Sequence, residues 1–194
     1  MKTCICTVGY PGAGKTAAQK PAKERGIPVV VMGNRVRGRA LSNIPDSKLE
    51  KAEASDVNPS KSDLIGEWAT EQREVHGDAV VAEWTVEYVE NRIESDTVLV
   101  DGMRSIAERD VFENAFENVV VLFVEASFET RLRRLQNRGR DGEDAFSAKD
   151  LEERDGREDE WGVAEVIKTA DTTITNESTV GEFHEEVGAF LDGL

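Results

Sequence analysis

Cysteine is nearly missing from this sequence of 194 residues, which has only Cys4 and Cys6. They stand two apart in an apolar stretch that reads as a β-strand, so their side chains share one face. Such neighbours rarely bridge, and the pair is expected as two small buried hydrophobes rather than a disulfide. No further metal ligands lie nearby. Histidine is equally scarce: His76 and His184 both sit in acid-rich helical contexts. No Ser-His-Asp or Cys-His arrangement is visible, which argues against the chemistry of an activated nucleophile. The chain shows no leader-like segment and no apolar run long enough to cross a bilayer, so it reads as cytoplasmic, with no membrane partner.

Positive charge is the third shortage. Lys and Arg number 24 against 39 Asp and Glu, a formal net charge of −15. A chain this acidic is repelled overall by a nucleic-acid backbone, which argues against a DNA- or RNA-coating role. A small anion remains compatible if its pocket is locally basic. Abundant carboxylates with few lysines fit either plain solubility or a halophilic source, where screening relieves self-repulsion. The halophilic reading is preferred.

What is present is organised. Thr3 to Val8 is an apolar run before a glycine-rich turn, the pattern of a buried parallel strand feeding a helix. A helix is expected from Lys15 to Arg25, stopped by Gly26 and bent at Pro21. Further strands are expected at Pro28 to Met32, Asp96 to Val100, Val119 to Val124 (a central one) and Thr172 to Thr175. Ser105 with Glu108, and Thr179 with Glu182, have the spacing of capping boxes. Ser127 opens an Arg-rich helix, and Val180, Phe183, Val187 and Phe190 stripe one helical face. Helical patterns also cover Asp63 to Val75 and Asp78 to Ile93. Ser42 to Ser62 is polar enough to be poorly ordered. Trp68, Trp84 and Trp161 are expected as packing residues.

Strands alternating with helices imply an α/β fold, a parallel sheet covered on both faces. The chain reads as one domain over residues 1–194. Two segments are too long for simple crossovers, 33–95 and 125–171. They are read as excursions covering a ligand, the first binding an acceptor and the second acting as a lid.

Gly9-Tyr10-Pro11-Gly12-Ala13-Gly14-Lys15-Thr16 matches G-x-x-x-x-G-K-[ST] in full. Glycines let backbone N–H groups converge on phosphate oxygens, and the helix that follows aims its positive end at the same anion. Lys15 can reach the β- and γ-phosphates of ATP, and the Thr16 hydroxyl can hold Mg²⁺. Asp101, closing Thr97-Val98-Leu99-Val100, is placed to hold the hydration shell of that Mg²⁺. Arg37 and Arg104 follow strand ends and are expected to touch substrate. Arg138 is expected on the nucleotide, with Arg140, Arg154 and Arg157 as weaker candidates. Of Arg131, Arg133 and Arg134, one or two should face the nucleotide. Lys15, Arg104 and Arg138 form the expected catalytic set.

These motifs, together with V-V-V-M-G-N-R-V-R, V-D-G-M-R-S, R-L-R-R-L-Q-N-R-G-R, E-E-R-D-G-R-E and W-G-V-A-E-V-I, resemble the nucleoside monophosphate kinase branch of P-loop proteins. More narrowly they are similar to an archaeal family of adenylate-kinase-related, dephospho-CoA-kinase-like proteins. The resemblance runs nearly end to end. It implies a five-stranded parallel sheet of order 2-3-1-4-5, an acceptor excursion after the second strand and a lid after the fourth. It puts Arg37 and Arg104 on the acceptor's phosphate, and Arg138 with nearby lid arginines on ATP. The family usually has Asp where this chain has Asn34, which weakens any carboxylate role there. The function implied is transfer of the ATP γ-phosphoryl group to a small nucleotide-like acceptor. The alternatives are a slow ATPase or switch and a binding module without chemistry.

Overall fold

Period-two alternation in the first strand divides the core between two layers. In the computed structural model, which describes residues 3–49, 61–137 and 146–194, strand β1 (Thr3–Val8) sends Cys4, Cys6 and Val8 to one face and Ile5 to the other. The remaining strands are β2 (Val29–Val31), β3 (Thr97–Asp101), β4 (Asn118–Glu125) and β5 (Thr172–Thr175). All pairings are parallel, and the order is β2-β3-β1-β4-β5. The expected α/β architecture and strand order are therefore observed. β4 is interior, but the middle strand is β1, the one that enters the glycine-rich loop.

Helices α1 (Lys15–Glu24) and α9 (Val180–Asp192) cover the face carrying Ile5, Leu99 and Leu122, burying Ala18, Ala22, Phe183 and Val187. The opposite face, with Cys4, Cys6, Val98 and Val100, lies under α4 (Val80–Arg92) and α5 (Ile106–Ala115), through Val81, Val89, Phe112 and Phe116. The cysteines are free and buried, with their sulfurs 3.6 Å apart. Burial pushes the Cys6 thiol well up from its ordinary value, which keeps it unreactive. The other helices are α2 (Met32–Asn43), α3 (Lys61–His76), α6 (Phe128–Gln136), α7 (Ala148–Glu160) and α8 (Val163–Ile167).

Four local expectations need correction. β2 stops at Val31, and α2 starts at Met32 with no intervening loop, because Met32, Val36 and Ala40 form a buried stripe at helical spacing. α1 ends at Glu24, with Arg25 as its C-cap rather than its last residue, and Pro21 is buried inside it. Val180 is exposed, and the buried stripe of α9 is Phe183, Val187 and Leu191. The box at Ser105 is half formed. Ser105 Oγ accepts from the Glu108 N–H, but the Glu108 carboxylate accepts from the Arg104 N–H, one residue before the cap, and from Arg73, instead of from the Ser105 N–H. Trp68 and Trp84 do pack, stacked on each other at 5.8 Å between centroids. Most of the Ser42 to Ser62 stretch lies outside the described residues.

The box at Thr179 is complete: the Thr179 N–H donates to Glu182 Oε2 at 3.0 Å, and the Glu182 N–H donates to Thr179 Oγ1 at 3.3 Å. Those bonds from Thr179 hold the Glu182 carboxyl below its ordinary value. Thr179→Ala leaves orphan donors at the start of α9. It is expected to cost about 1 kcal/mol in chemical denaturation, with activity unchanged.

Candidate functional site

The turn from β1 into α1 builds a cradle. Gly14 caps the helix in the left-handed region, at φ 109°. A Cβ there would stand 2.0 Å from Asn176 Nδ2, so no larger residue fits without displacing that amide. Ala13 N–H donates to Tyr10 O, and the N–H groups of Ala17 and Ala18 return to Gly14 O. Among the described residues, the N–H groups of Gly12, Gly14, Lys15 and Thr16 have no acceptor. Such a ring of unpaired donors at a helix start is the arrangement that receives phosphate oxygens.

Lys15 folds back over this loop. Its ammonium donates to Gly9 O and, at 3.2 Å, to Tyr10 O. Burial lowers its pKa, and the nearby Glu158 and Asp101 carboxylates oppose that shift. Thr16 is exposed at the first turn of α1. Asp101 is the last residue of β3, in register with Thr7 of β1, and is 5% exposed. Thr7 Oγ1 donates to its Oδ1 at 2.9 Å, and Gln19 Nε2 donates to its Oδ2 at 2.6 Å. Each oxygen keeps a lone pair. Thr16 and Asp101 thus fit the sparse protein share of a Mg²⁺ shell whose remaining ligands are water and phosphate.

Behind the cradle, α6 supplies struts. Arg134 donates to Ala13 O at 3.2 Å and to Asn176 O at 2.9 Å, while Asn176 Nδ2 also donates to Ala13 O at 2.8 Å. Arg131 donates to Pro11 O at 3.3 Å and grips Asp155 through two bonds of 2.8 Å. Both arginines therefore hold the loop's carbonyls in place. Arg133 faces Thr130, 3.5 Å away. Arg154 stacks on Phe146. Arg138 and Arg140 lie outside the described residues.

Arg104, in the turn after β3, is mostly buried, with its side chain 21% exposed. It donates to Gly102 O at 2.8 Å and to Glu158 Oε2 at 2.8 Å. Burial works against its charge, but Glu158 and Glu108 more than offset this and hold its pKa up. Arg37 is on α2, exposed, with no hydrogen bond or ion pair to another described residue. Its neighbours on α2 are engaged, Arg35 over the Tyr88 ring and Arg39 over Trp84.

The chain matches the model of an AAA domain over residues 5–162. Over 96% of its length it is 34% identical to a UPF0200 protein of Methanoculleus marisnigri, covering 94% of that protein. It belongs to the UPF0200 family. Another UPF0200 protein, MK0400 of Methanopyrus kandleri, is 38% identical over 94% of this chain and 85% of its own. The match to a UPF0200/UPF0201 protein of Archaeoglobus fulgidus is 35% identical over 96% of this chain, which spans 54% of that relative's length. Among solved structures, TT1252 from Thermus thermophilus has a TM-score of 0.65 at 20% identity, over 100% of this chain and 98% of its own. Shikimate kinase from Bacteroides thetaiotaomicron has a TM-score of 0.63 at 15% identity, over 98% of both chains. At such identity these likenesses concern the fold alone: the UPF0200 chain shares the five-stranded parallel α/β architecture of these solved structures.

Four participants in this UPF0200 site escaped the sequence reading. Asn176 follows β5 directly, and the strand-end rule that singled out Asp101 would have reached it. Gln19 and Thr7 meet Asp101 from α1 and β1, a meeting that needs the fold. Glu158 lies within a run of charged residues where nothing marks one carboxylate from the next.

Proposed function

We propose that the protein transfers the γ-phosphoryl group of Mg·ATP to a small, phosphate-bearing, nucleotide-like acceptor. The observation that carries this reading is the cradle, where the unpaired N–H groups of Gly12, Gly14, Lys15 and Thr16 lie beside the Lys15 ammonium at the carboxyl edge of a parallel sheet. In it, Gly9, Tyr10, Pro11, Gly12, Ala13, Gly14, Lys15 and Thr16 hold the triphosphate, while Thr16 and Asp101 hold the metal. The ion supplies charge neutralisation across the phosphates. Lys15 and Arg104 meet the charge that spreads over the equatorial oxygens, and Arg138, outside the described residues, completes this catalytic set. Arg37 and Arg104 orient the acceptor from the 33–95 excursion and the end of β3. The 125–171 segment closes over the donor and excludes water that would otherwise hydrolyse it. Catalysis is then positioning and electrostatics, without a covalent intermediate.

An ADP-release screen tests this with nucleoside monophosphates, dephospho-CoA and simple alcohols as acceptors, in molar KCl with Mg²⁺. Rapid release with one phosphate-bearing acceptor supports it. Slow release indifferent to acceptor describes an ATPase or switch. No release, with thermal stabilisation by nucleotide, describes a binding module. Arg37→Ala is expected to raise the acceptor KM by roughly tenfold or more with little change in the ATP KM, measured by initial rates.

A further inference from the structure

Helix α7 is attached to the molecule in an unusual way. Its 13 residues, A-K-D-L-E-E-R-D-G-R-E-D-E, bury one side chain, Leu151, in a small cluster with Leu135 and Phe146. Gly156 lies mid-helix, where it lowers helix stability. What fixes the rest of α7 is charge. Asp155, Glu158 and Asp159 fall at i, i+3 and i+4, hence on one face. Each meets a group of the cradle or its rim: Asp155 the buried Arg131, Glu158 the Arg104 guanidinium, and Asp159 the Tyr10 hydroxyl, which donates to it at 2.6 Å. Glu158 is 14% exposed, and its charge acts on Lys15 as well as Arg104. One carboxylate thus pairs with Arg104 at 2.8 Å and is near enough for its charge to act on Lys15, the two cations that the proposed transfer aims at phosphate.

We propose that α7 is an internal anion latch, with Glu158, supported by Asp159, taking the place of a phosphate group on Arg104 so that a phosphate ligand binds by displacing it. Asp155, bound to Arg131 beneath the loop, is the pivot that stays. A carboxylate and a phosphate cannot share the Arg104 guanidinium without repulsion, so ligand entry and latch release are one equilibrium. Affinity is reduced by the fraction of molecules in which the latch is closed. A helix held by ion pairs rather than apolar area suits this task, because each contact it loses is replaced by water. The inference rests on the phosphate-binding reading of the cradle.

The test compares Mg·ATP binding by isothermal titration in the wild type, in Glu158→Gln, and in a control that removes exposed α7 carboxylates, Glu152→Gln with Glu160→Gln. Measurable wild-type binding establishes the cradle separately from the latch. The latch requires Glu158→Gln to bind roughly tenfold tighter or more, with the control near wild type. Unchanged or weaker binding in Glu158→Gln overturns it, as does equal tightening in the control, which would be a bulk charge effect. Should Glu158→Gln not fold, hydrogen exchange of the wild type decides. Amides of α7 lose protection when Mg·ATP binds if the latch is real, and keep or gain it if it is not.

Discussion

Lys15→Ala is expected to reduce phosphoryl transfer by about a thousandfold or more, the ~4 kcal/mol typical of removing a preorganised charge from a transition state. The folded protein explains why this loss should be confined to function. The ammonium donates to Gly9 O and Tyr10 O; Gly9 is buried, but Tyr10 and Lys15 are half-exposed, so truncating the side chain opens the rim to water that can satisfy these carbonyls. Burial also disfavours its charge, as the lowered pKa records, so the native state gives up little by losing it. The melting temperature should therefore hold steady while kcat/KM collapses. Turnover close to the wild type would mean that Gly9–Thr16 is not the phosphate site. A collapse of both folding and turnover would mean that the ammonium props the loop more than the geometry indicates.

The scaffold of this site was legible because it obeys local rules. A strand, a glycine-rich turn and a helix start appear in order in the first sixteen residues, and an apolar run ending in Asp101 places its carboxylate at the same sheet edge. Capping at Ser127 and Thr179 was legible for the same reason: an N-cap bond spans three residues. Legibility failed where partners are far apart in sequence. Glu108 has the spacing of a capping residue, but a second partner 35 positions upstream, Arg73, draws its carboxylate inward. The short stripe of α2 was hidden by the polar residues around it, and the tertiary contact with α4 decided the helix. Glu158 was one of many charges until α7 was laid across the cradle.

That buried pair gives the largest expected effect on stability. Glu108 is fully buried and Arg73 is 7% exposed, and Arg73 Nη2 donates to Glu108 Oε1 at 3.1 Å. The other carboxylate oxygen accepts the Arg104 N–H at 2.7 Å, and the Trp161 ring lies 4.9 Å from the Arg73 guanidinium and 5.6 Å from that of Arg104. The network ties α3 and α5 to the turn that presents Arg104. Arg73→Ala strands a carboxylate in the interior and should cost about 3–5 kcal/mol, lowering the melting temperature by roughly 10 °C. Burial already raises the Glu108 pKa, with Arg73 and Arg104 restraining it, so losing Arg73 lets it climb further. A carboxyl raised in the native state contributes stability below its ordinary value, and that contribution is lost as pH rises through the native value. The Arg73→Ala penalty should therefore be larger near about pH 8 than near about pH 5. Adding Glu108→Gln removes the stranded charge, keeps an acceptor for the Arg104 N–H, and should recover much of the loss at the higher pH. Denaturant melts of the three proteins at both pH values check this. A penalty that does not change with pH would assign the cost to packing around Trp161 instead of to the charge.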